Sequence, residues 1–365
     1  MATAFVTGAG GCLGNAVAEK FLRDGWHVVA FDGRWPGRPE NSDSCVQRLR
    51  DEYGDSIKAI PTDLLHPRDS GGIRFHAAQQ KPAAIIHCAG QSSTEFAGLF
   101  PLVDCKNSTQ TTIDLLEVVR VHTPASIFVY ISSSDVYGEH VSQLSMEEAE
   151  TRYWPLSKVY ADGVMEGSRV DQVMRGPLGT FRLCADLMCQ EYGKYYGIKT
   201  GVFRCGEVIN PKTCSLDSGN QICNMIRAGV TSIPYMIEGY EGKRTKDILH
   251  AEDAAEAVWH YVQRPGCGEV LNLGGGKGNA VSTIELLHEV MSATGTQTPT
   301  TYQPTPPKAA SVWYVTNNYK MTRTYPTWGV TKSVPQIVGE VWENVRKSTR
   351  FRGGGTNDEG ADKTA

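Results

Sequence analysis

The chain has 365 residues, with 36 Lys+Arg against 40 Asp+Glu for a formal charge of −4, and is 40% hydrophobic and 21% charged. This is ample for one large domain or two linked ones, and the globular composition excludes wholesale disorder. The acidic balance argues against a nucleic-acid partner, whose phosphates need a cationic surface, and no apolar run approaches the ~20 residues of a membrane-spanning helix.

In chain order, strands are expected at Ala4–Thr7, His27–Phe31, Ile57–Pro61, Ala84–Cys88, Ser126–Ser132 and Thr200–Arg204. Apolar residues at helical spacing link them: Ala16, Ala18, Phe21 and Leu22 after the first strand, Ile113, Leu116 and Val119 before the fifth. Strands separated by helices imply parallel pairing through right-handed crossovers, so the fold class is α/β, a Rossmann-type doubly wound parallel sheet. Residues 205–245 read as loop-rich, Val270–Leu273 as a strand, Ser282–Ser292 as a helix capped by Ser282 or Thr283, Thr296–Lys308 as extended and 335–347 as a helix. The expected domains are a nucleotide-binding sheet over 1–204 and 246–275, a smaller substrate-binding cap over 205–245 and 276–350, and a polar, glycine-rich tail over 351–365 that stays disordered. The opening Met1-Ala2-Thr3-Ala4 runs straight into a strand, so no secretory leader is expected. Ten cysteines without a Cys-x-x-Cys pair, several of them in apolar stretches (Cys88, Cys184, Cys189), suggest reduced, buried thiols in a cytoplasmic protein.

The strongest motif is Thr7-Gly8-Ala9-Gly10-Gly11-Cys12-Leu13-Gly14, placed between a strand and a helix. Gly8 permits the tight turn, Gly11 lets a pyrophosphate approach the backbone, and Gly14 lets the helix pack on the strand; the helix N-terminus then offers unpaired N–H groups to an anion. The second strand ends at Asp32, placed to hold a ribose diol and to repel a 2′-phosphate, which favours NAD over NADP; Arg34 nearby keeps NADP as a lesser option. Asp63 and Leu64 follow the third strand, Ala89, Gly90 and Gln91 the fourth, and Asn107 is expected to open the next helix. Each could be ordinary loop chemistry alone, but together they line the carboxyl ends of one sheet, where ligands of such folds sit.

These segments resemble the extended short-chain dehydrogenase/reductase family, in particular its NAD-dependent nucleoside-diphosphate-sugar epimerases and dehydratases, and most of all the CDP-tyvelose (CDP-paratose) 2-epimerase type. Further matching segments are Asn107–Arg120, Ser132–Gly138, Phe203-Arg204, Asp247–Asp253 and Asn272–Gly275, in family order. The resemblance implies bound NAD, a nucleotide sugar or related anionic sugar as substrate, and a homodimer built on the helix beginning at Asn107 and the one carrying Arg182, with Leu183, Leu187 and Tyr195 as contacts unless these are core. It also adds Cys12, Leu13, Asn107, Arg182 and Cys205 to the cofactor site, and Gln91, Ser134 and Lys246 to the substrate site.

The family's Tyr-x-x-x-Lys pair is missing. Tyr195–Lys199 has the spacing but lies at the end of a helix, and Trp154–Lys158 is displaced relative to Arg204 and carries no phenol. The register that fits is Gly176–Asp186, with Leu178 where the tyrosine belongs and Arg182 where the lysine belongs. Leu178 cannot move a proton, and a positioned base typically contributes about 10²–10⁴-fold. Ser133 takes the family's Ser/Thr position, Asp135 the place where dehydratases carry a glutamate, and Glu207 replaces a common asparagine; these three are the candidates for acid–base work. Lys246 replaces an arginine, losing its bidentate fork, and Pro307–Ala310 replaces a nucleotide-gripping arm, leaving Lys243, Arg244, Lys246 and Lys308 as cations that could meet an anion. The histidines lack metal spacing, so no metal is expected, and neither a nucleophile elbow nor a Walker lysine is present. The sequence thus supports an NAD-dependent epimerase or dehydratase with non-standard acid–base residues. The alternatives are a non-catalytic NAD-binding sensor or scaffold and a redox-neutral lyase or isomerase on the same fold.

Overall fold

Short β-branched and aromatic runs bounded by glycine or proline become strands because both of their faces are covered by helices. The computed structural model describes residues 1–33, 42–64 and 72–353. Its main sheet has seven parallel strands, in spatial order Glu269–Leu273, Thr200–Cys205, Ile127–Ser133, Ala84–His87, Thr3–Thr7, His27–Asp32 and Ile57–Pro61. The expected strands are all present, with ends shifted by a residue.

The order reverses between Thr3–Thr7 and Ala84–His87, and this switch point opens the crevice in which ligands of doubly wound sheets bind. One face of the sheet is covered by the helices Cys12–Arg23 and Ala251–Gln263, whose Val17, Phe21, Ala254 and Val258 share a buried core with Val6 and Phe203. The other face is covered by Thr111–His122 and Gly176–Tyr196, which bury Leu116, Val119, Ala185 and Cys189 against Phe5, Ile85 and Phe128.

The cap holds more regular structure than a loop-rich reading suggests. Residues 205–245 include the helix Gln221–Thr231 and the strands Glu207–Ile209 and Tyr235–Glu238. These elements are short and interrupted, so their periodicity is too brief to read from sequence. Thr245–His250 pairs with Glu207–Ile209, Ala280–Ser282 and Trp313–Tyr314 rather than with the main sheet. Backbone hydrogen bonds decide which sheet a strand joins, and here they place Thr245–His250 in the smaller sheet. The helix Thr283–Thr294 starts with a full capping box, in which the Ser282 hydroxyl accepts from Glu285 N and the Glu285 carboxylate accepts from Ser282 N. It packs with Gln221–Thr231 and Val334–Gly353 around Ile226, Leu286, Val290, Ile337 and Val341.

The last helix runs to Gly353, three residues into the expected tail, and the rest of that tail lies outside the described residues. Arg34 also lies outside them. No described helix is long and apolar enough to cross a membrane. All ten cysteines are free thiols. Cys184 and Cys267 are exposed, contrary to the expectation of uniformly buried thiols, since Cys184 falls on the outer side of its helix.

Candidate functional site at the sheet's switch point

The glycine turn is held by sterics as much as by hydrogen bonds. Gly8 has φ +68, and a Cβ there would sit 2.8 Å from the backbone of Ala89. A Cβ on Gly14 would meet the Gly8 carbonyl oxygen at 2.1 Å, so only glycine lets the first helix approach the turn this closely. Gly11 is the N-cap of Cys12–Arg23, with extended backbone and no side-chain cap, which leaves the helix's first N–H groups to a ligand. Leu13 is buried beneath the turn, and the Cys12 thiol donates to Val208 O at 3.3 Å.

Asp32 closes the turn from the second strand. Its Oδ2 accepts from Gly10 N at 2.6 Å and its Oδ1 from Gly33 N at 2.9 Å. A carboxylate at this strand end can accept from ribose hydroxyls. Open helix N-terminus, glycines without room for Cβ and an acceptor-only carboxylate together fit an NAD pyrophosphate and adenosine ribose. Asp63 and Leu64 lie just past the third strand, lining a cavity with Thr111, Leu115 and Val118.

The fourth strand leads to the other half of the crevice. Thr7 Oγ1 lies 2.8 Å from His87 Nδ1 and accepts from Ala89 N at 3.2 Å, tying the two strand ends together. Burial and the charge of Arg182 push the His87 pKa down to about 3, so the ring is neutral. Gly90 again has no room for a side chain, since a Cβ would lie 2.6 Å from an Arg182 terminal nitrogen. The Gln91 amide donates to Asp104 Oδ1 at 2.5 Å and accepts from Ser93 N at 2.6 Å. Asp104, missed in the sequence, is buried, and burial raises its pKa; a lone aspartate in a short helix gives no signal of this. Asn107 does not open a helix. It lies within a π-helical turn, Lys106–Gln110, between the helices Pro101–Cys105 and Thr111–His122; such bulges are frequent at functional sites.

The reacting end is formed by the fifth strand and the long helix. Leu178 is 4% exposed, in the first turns of Gly176–Tyr196. One turn on, Arg182 donates to Gln91 O at 3.0 Å and Ile131 O at 3.1 Å, which fixes its buried guanidinium under Gly90. Ser133 ends the fifth strand in register with Cys205. Its hydroxyl donates to Asp135 Oδ2 at 2.9 Å and accepts from Asp135 N at 3.1 Å, and half-buried Ser134 sits between them. Burial pushes Cys205 up to about 12, so it stays a neutral thiol.

Across the crevice is a polar cleft of about 190 Å³ lined by Glu207, Gln221, Asn224, Tyr235, Arg244 and Lys246. Lys246 Nζ is 3.7 Å from Glu207 Oε2, its side chain 41% exposed. The charge of Arg244, followed by burial, lowers the Lys246 pKa. Arg244 is anchored by its Nε to Ser311 O at 2.7 Å and also has a lowered pKa, through burial. Asp135 is within electrostatic reach of Arg182, Arg244 and Lys246, so the acid–base candidates and the cations form one field. Lys243 instead pairs with Glu148 and Glu241, and Lys308 is exposed. Gln221, Asn224 and Tyr235 went unread because they lie in the stretch taken as loop; the Asn220 cap before an amphipathic run was the available signal.

Residues 4–274 match the NAD dependent epimerase/dehydratase family. The chain is 27% identical over 292 residues to the CDP-paratose 2-epimerase of Salmonella typhi, covering 77% of this chain and 81% of that one. It is 25% identical over 290 residues to the UDP-glucose 4-epimerase of Mycolicibacterium smegmatis, covering 80% and 82%. Among solved structures it is similar to the UDP-glucuronic acid 4-epimerase of Bacillus cereus in complex with UDP-glucuronic acid and NAD, with a TM-score of 0.79 at 20% identity over 95% of this chain and 99% of that one. With the glycine turn, the switch-point crevice and a family match over most of its length, the chain belongs to the NAD dependent epimerase/dehydratase family.

Proposed function

We propose that this protein binds NAD and acts on a nucleoside-diphosphate sugar, or a related anionic sugar, through transient oxidation of a sugar carbinol, with the acid–base work done outside the tyrosine position. The observation that carries this reading is the Ser133–Asp135 pair, a hydroxyl that hands its hydrogen to a carboxylate at 2.9 Å beside the end of the long helix. Gly8, Gly11, Cys12, Leu13 and Gly14 would hold the pyrophosphate, Asp32 the adenosine ribose, Asp63 and Leu64 the adenine end, and Ala89, Gly90, Asn107, Arg182 and Cys205 the nicotinamide half. NAD bound there supplies the hydride acceptor. Ser133 takes the proton of the reacting hydroxyl as its own passes to Asp135 Oδ2, and the charge of Arg182 favours the oxyanion that forms. Arg244 and Lys246 meet the substrate's anionic groups, and Glu207, 3.7 Å from Lys246, orients that ammonium or moves a second proton. The same mechanism serves epimerisation or elimination, depending on which carbon faces the hydride acceptor.

The test is to denature the purified protein, identify the released dinucleotide, and then follow reduced-nicotinamide absorbance in the native protein as sugar nucleotides are added. Transient reduction supports the reading; Asp135→Asn or Glu207→Gln with unaltered turnover removes that residue from it. Buried Leu178 favours a second reading, a non-catalytic NAD-binding sensor or scaffold. Bound NAD that keeps its redox state with every sugar nucleotide would select it.

We also infer a homodimer through the long helix. Leu187 and Tyr195 on it are 49% and 74% exposed and available to a second copy, whereas Leu183 is buried within the protomer. Light scattering on the purified chain, with Leu187→Glu expected to give monomers, checks this.

A further inference from the structure

The cap contains two cysteines that the proposed chemistry does not use. Cys214 follows the short turn Pro211–Thr213, and Cys223 lies in the first turn of the helix Gln221–Thr231; both are buried in the cap core. One nitrogen joins them: Asn220 Nδ2 donates to Cys214 Sγ at 3.4 Å and to Cys223 Sγ at 3.2 Å. Asn220 Oδ1 meanwhile accepts from Cys223 N at 2.9 Å, capping the helix. The chain between the two thiols has no helix or strand before Gln221.

We infer that Cys214 and Cys223 are a dithiol that a hydroperoxide oxidises to an intramolecular disulfide. Cys223 is the attacking sulfur, because it lies in the first turn of the helix Gln221–Thr231, where the helix N-terminus favours a thiolate, and is the nearer of the two to the Asn220 amide. The Asn220 amide donates to its sulfur at 3.2 Å, and the proximity of the two thiols lowers the pKa of Cys223 and raises that of Cys214. The Cys223 thiolate attacks one peroxide oxygen, the O–O bond breaks, and the alcohol or water leaves with the second oxygen, giving a sulfenic acid. Cys214 sulfur then attacks the Cys223 sulfur. The S–O bond breaks, and the departing hydroxide takes the Cys214 proton as water, so two thiols are oxidised and one peroxide is reduced.

The position gives the bond consequences at both ligand sites. Gln221 lines the polar cleft of Arg244 and Lys246, and Asn210, four residues before Cys214, donates to Cys12 O in the glycine turn at 2.8 Å. Cys12 is the competing thiol in this region, but its sulfur is turned to Val208 O.

The experiment uses the full chain with the exposed Cys184 and Cys267 both changed to serine, treated with hydrogen peroxide and compared before and after dithiothreitol. The expected result is an intact mass lower by two hydrogens, loss of two titratable thiols, a peptide joining Cys214 to Cys223, and full reversal. In Cys214→Ser the Cys223 sulfenic acid persists and is trapped by dimedone. Two intact thiols after peroxide in the folded protein, irreversible oxidation of Cys223 without a bond, or a disulfide from either residue to Cys12 would each overturn the inference. Peptide mapping of the unsubstituted chain separates the same outcomes if a variant does not fold.

Discussion

The glycine turn and the reacting end lie side by side in one crevice, yet they tolerate change very differently. At the turn, backbone touches backbone: Gly8 against Ala89, Gly14 against the Gly8 carbonyl. No other residue type meets those distances. At the end proposed to react, the contacts are made by side chains: Ser133 with Asp135, and Arg182 with the Gln91 and Ile131 carbonyls. Leu178 is buried in the first turns of the long helix, and Arg182 binds two main-chain carbonyls through its two terminal nitrogens. A binding site made of backbone is fixed by sterics, whereas a reacting centre made of side chains is free to be rebuilt.

The sharpest way to break this comparison is Asp135→Asn. Turnover should fall about 10²–10⁴-fold while NAD content stays that of the wild type, as measured by steady-state kinetics and by dinucleotide released on denaturation. Gly14→Ala should do the reverse, costing about 1–3 kcal/mol through overpacking against Gly8 and emptying the protein of NAD, as read by thermal unfolding and the same release assay. Lys246→Met should raise KM about tenfold with kcat little changed, because its proposed role is to meet the substrate's anionic groups and hydrogen bonds to charged groups contribute about 1.5–3 kcal/mol.

An effect on stability alone concerns His87, which joins the two regions through Thr7 and the field of Arg182. Its folded pKa of about 3 lies below the ordinary 6.5. The neutral ring's contribution to stability is therefore complete above 6.5 and is lost as pH falls from there towards 3. Denaturant unfolding across that window should show the decline; His87→Gln should flatten it, and Arg182→Leu should make it shallower by removing one of the two causes of the shift.

The glycine turn, Asp32 and the seven strands of the sheet were legible because each is a local pattern: a spacing of glycines, a residue at a strand end, a run of apolar residues; their spatial order was not. The Leu178 and Arg182 positions were legible only through register with Phe203-Arg204. The cleft of Gln221, Asn224 and Tyr235 was not, because its short helix and strands gain their order from packing against Thr283–Thr294 and Val334–Gly353. Asn107 was misplaced by one element, since a π-helical turn interrupts helical periodicity without any proline or glycine to mark it.

The sequence by itself determined the strands of the sheet and the glycine turn between the first strand and the first helix, because backbone conformation and residue identity are written along the chain. Only the tertiary structure decided that Arg182 is clamped by Gln91 and Ile131, that the Gln91 amide turns to Asp104, and that Ser133 donates to Asp135 rather than standing free. These are choices among partners brought together by strands far apart in the chain, and a hydrogen-bond donor takes the acceptor that folding places within reach.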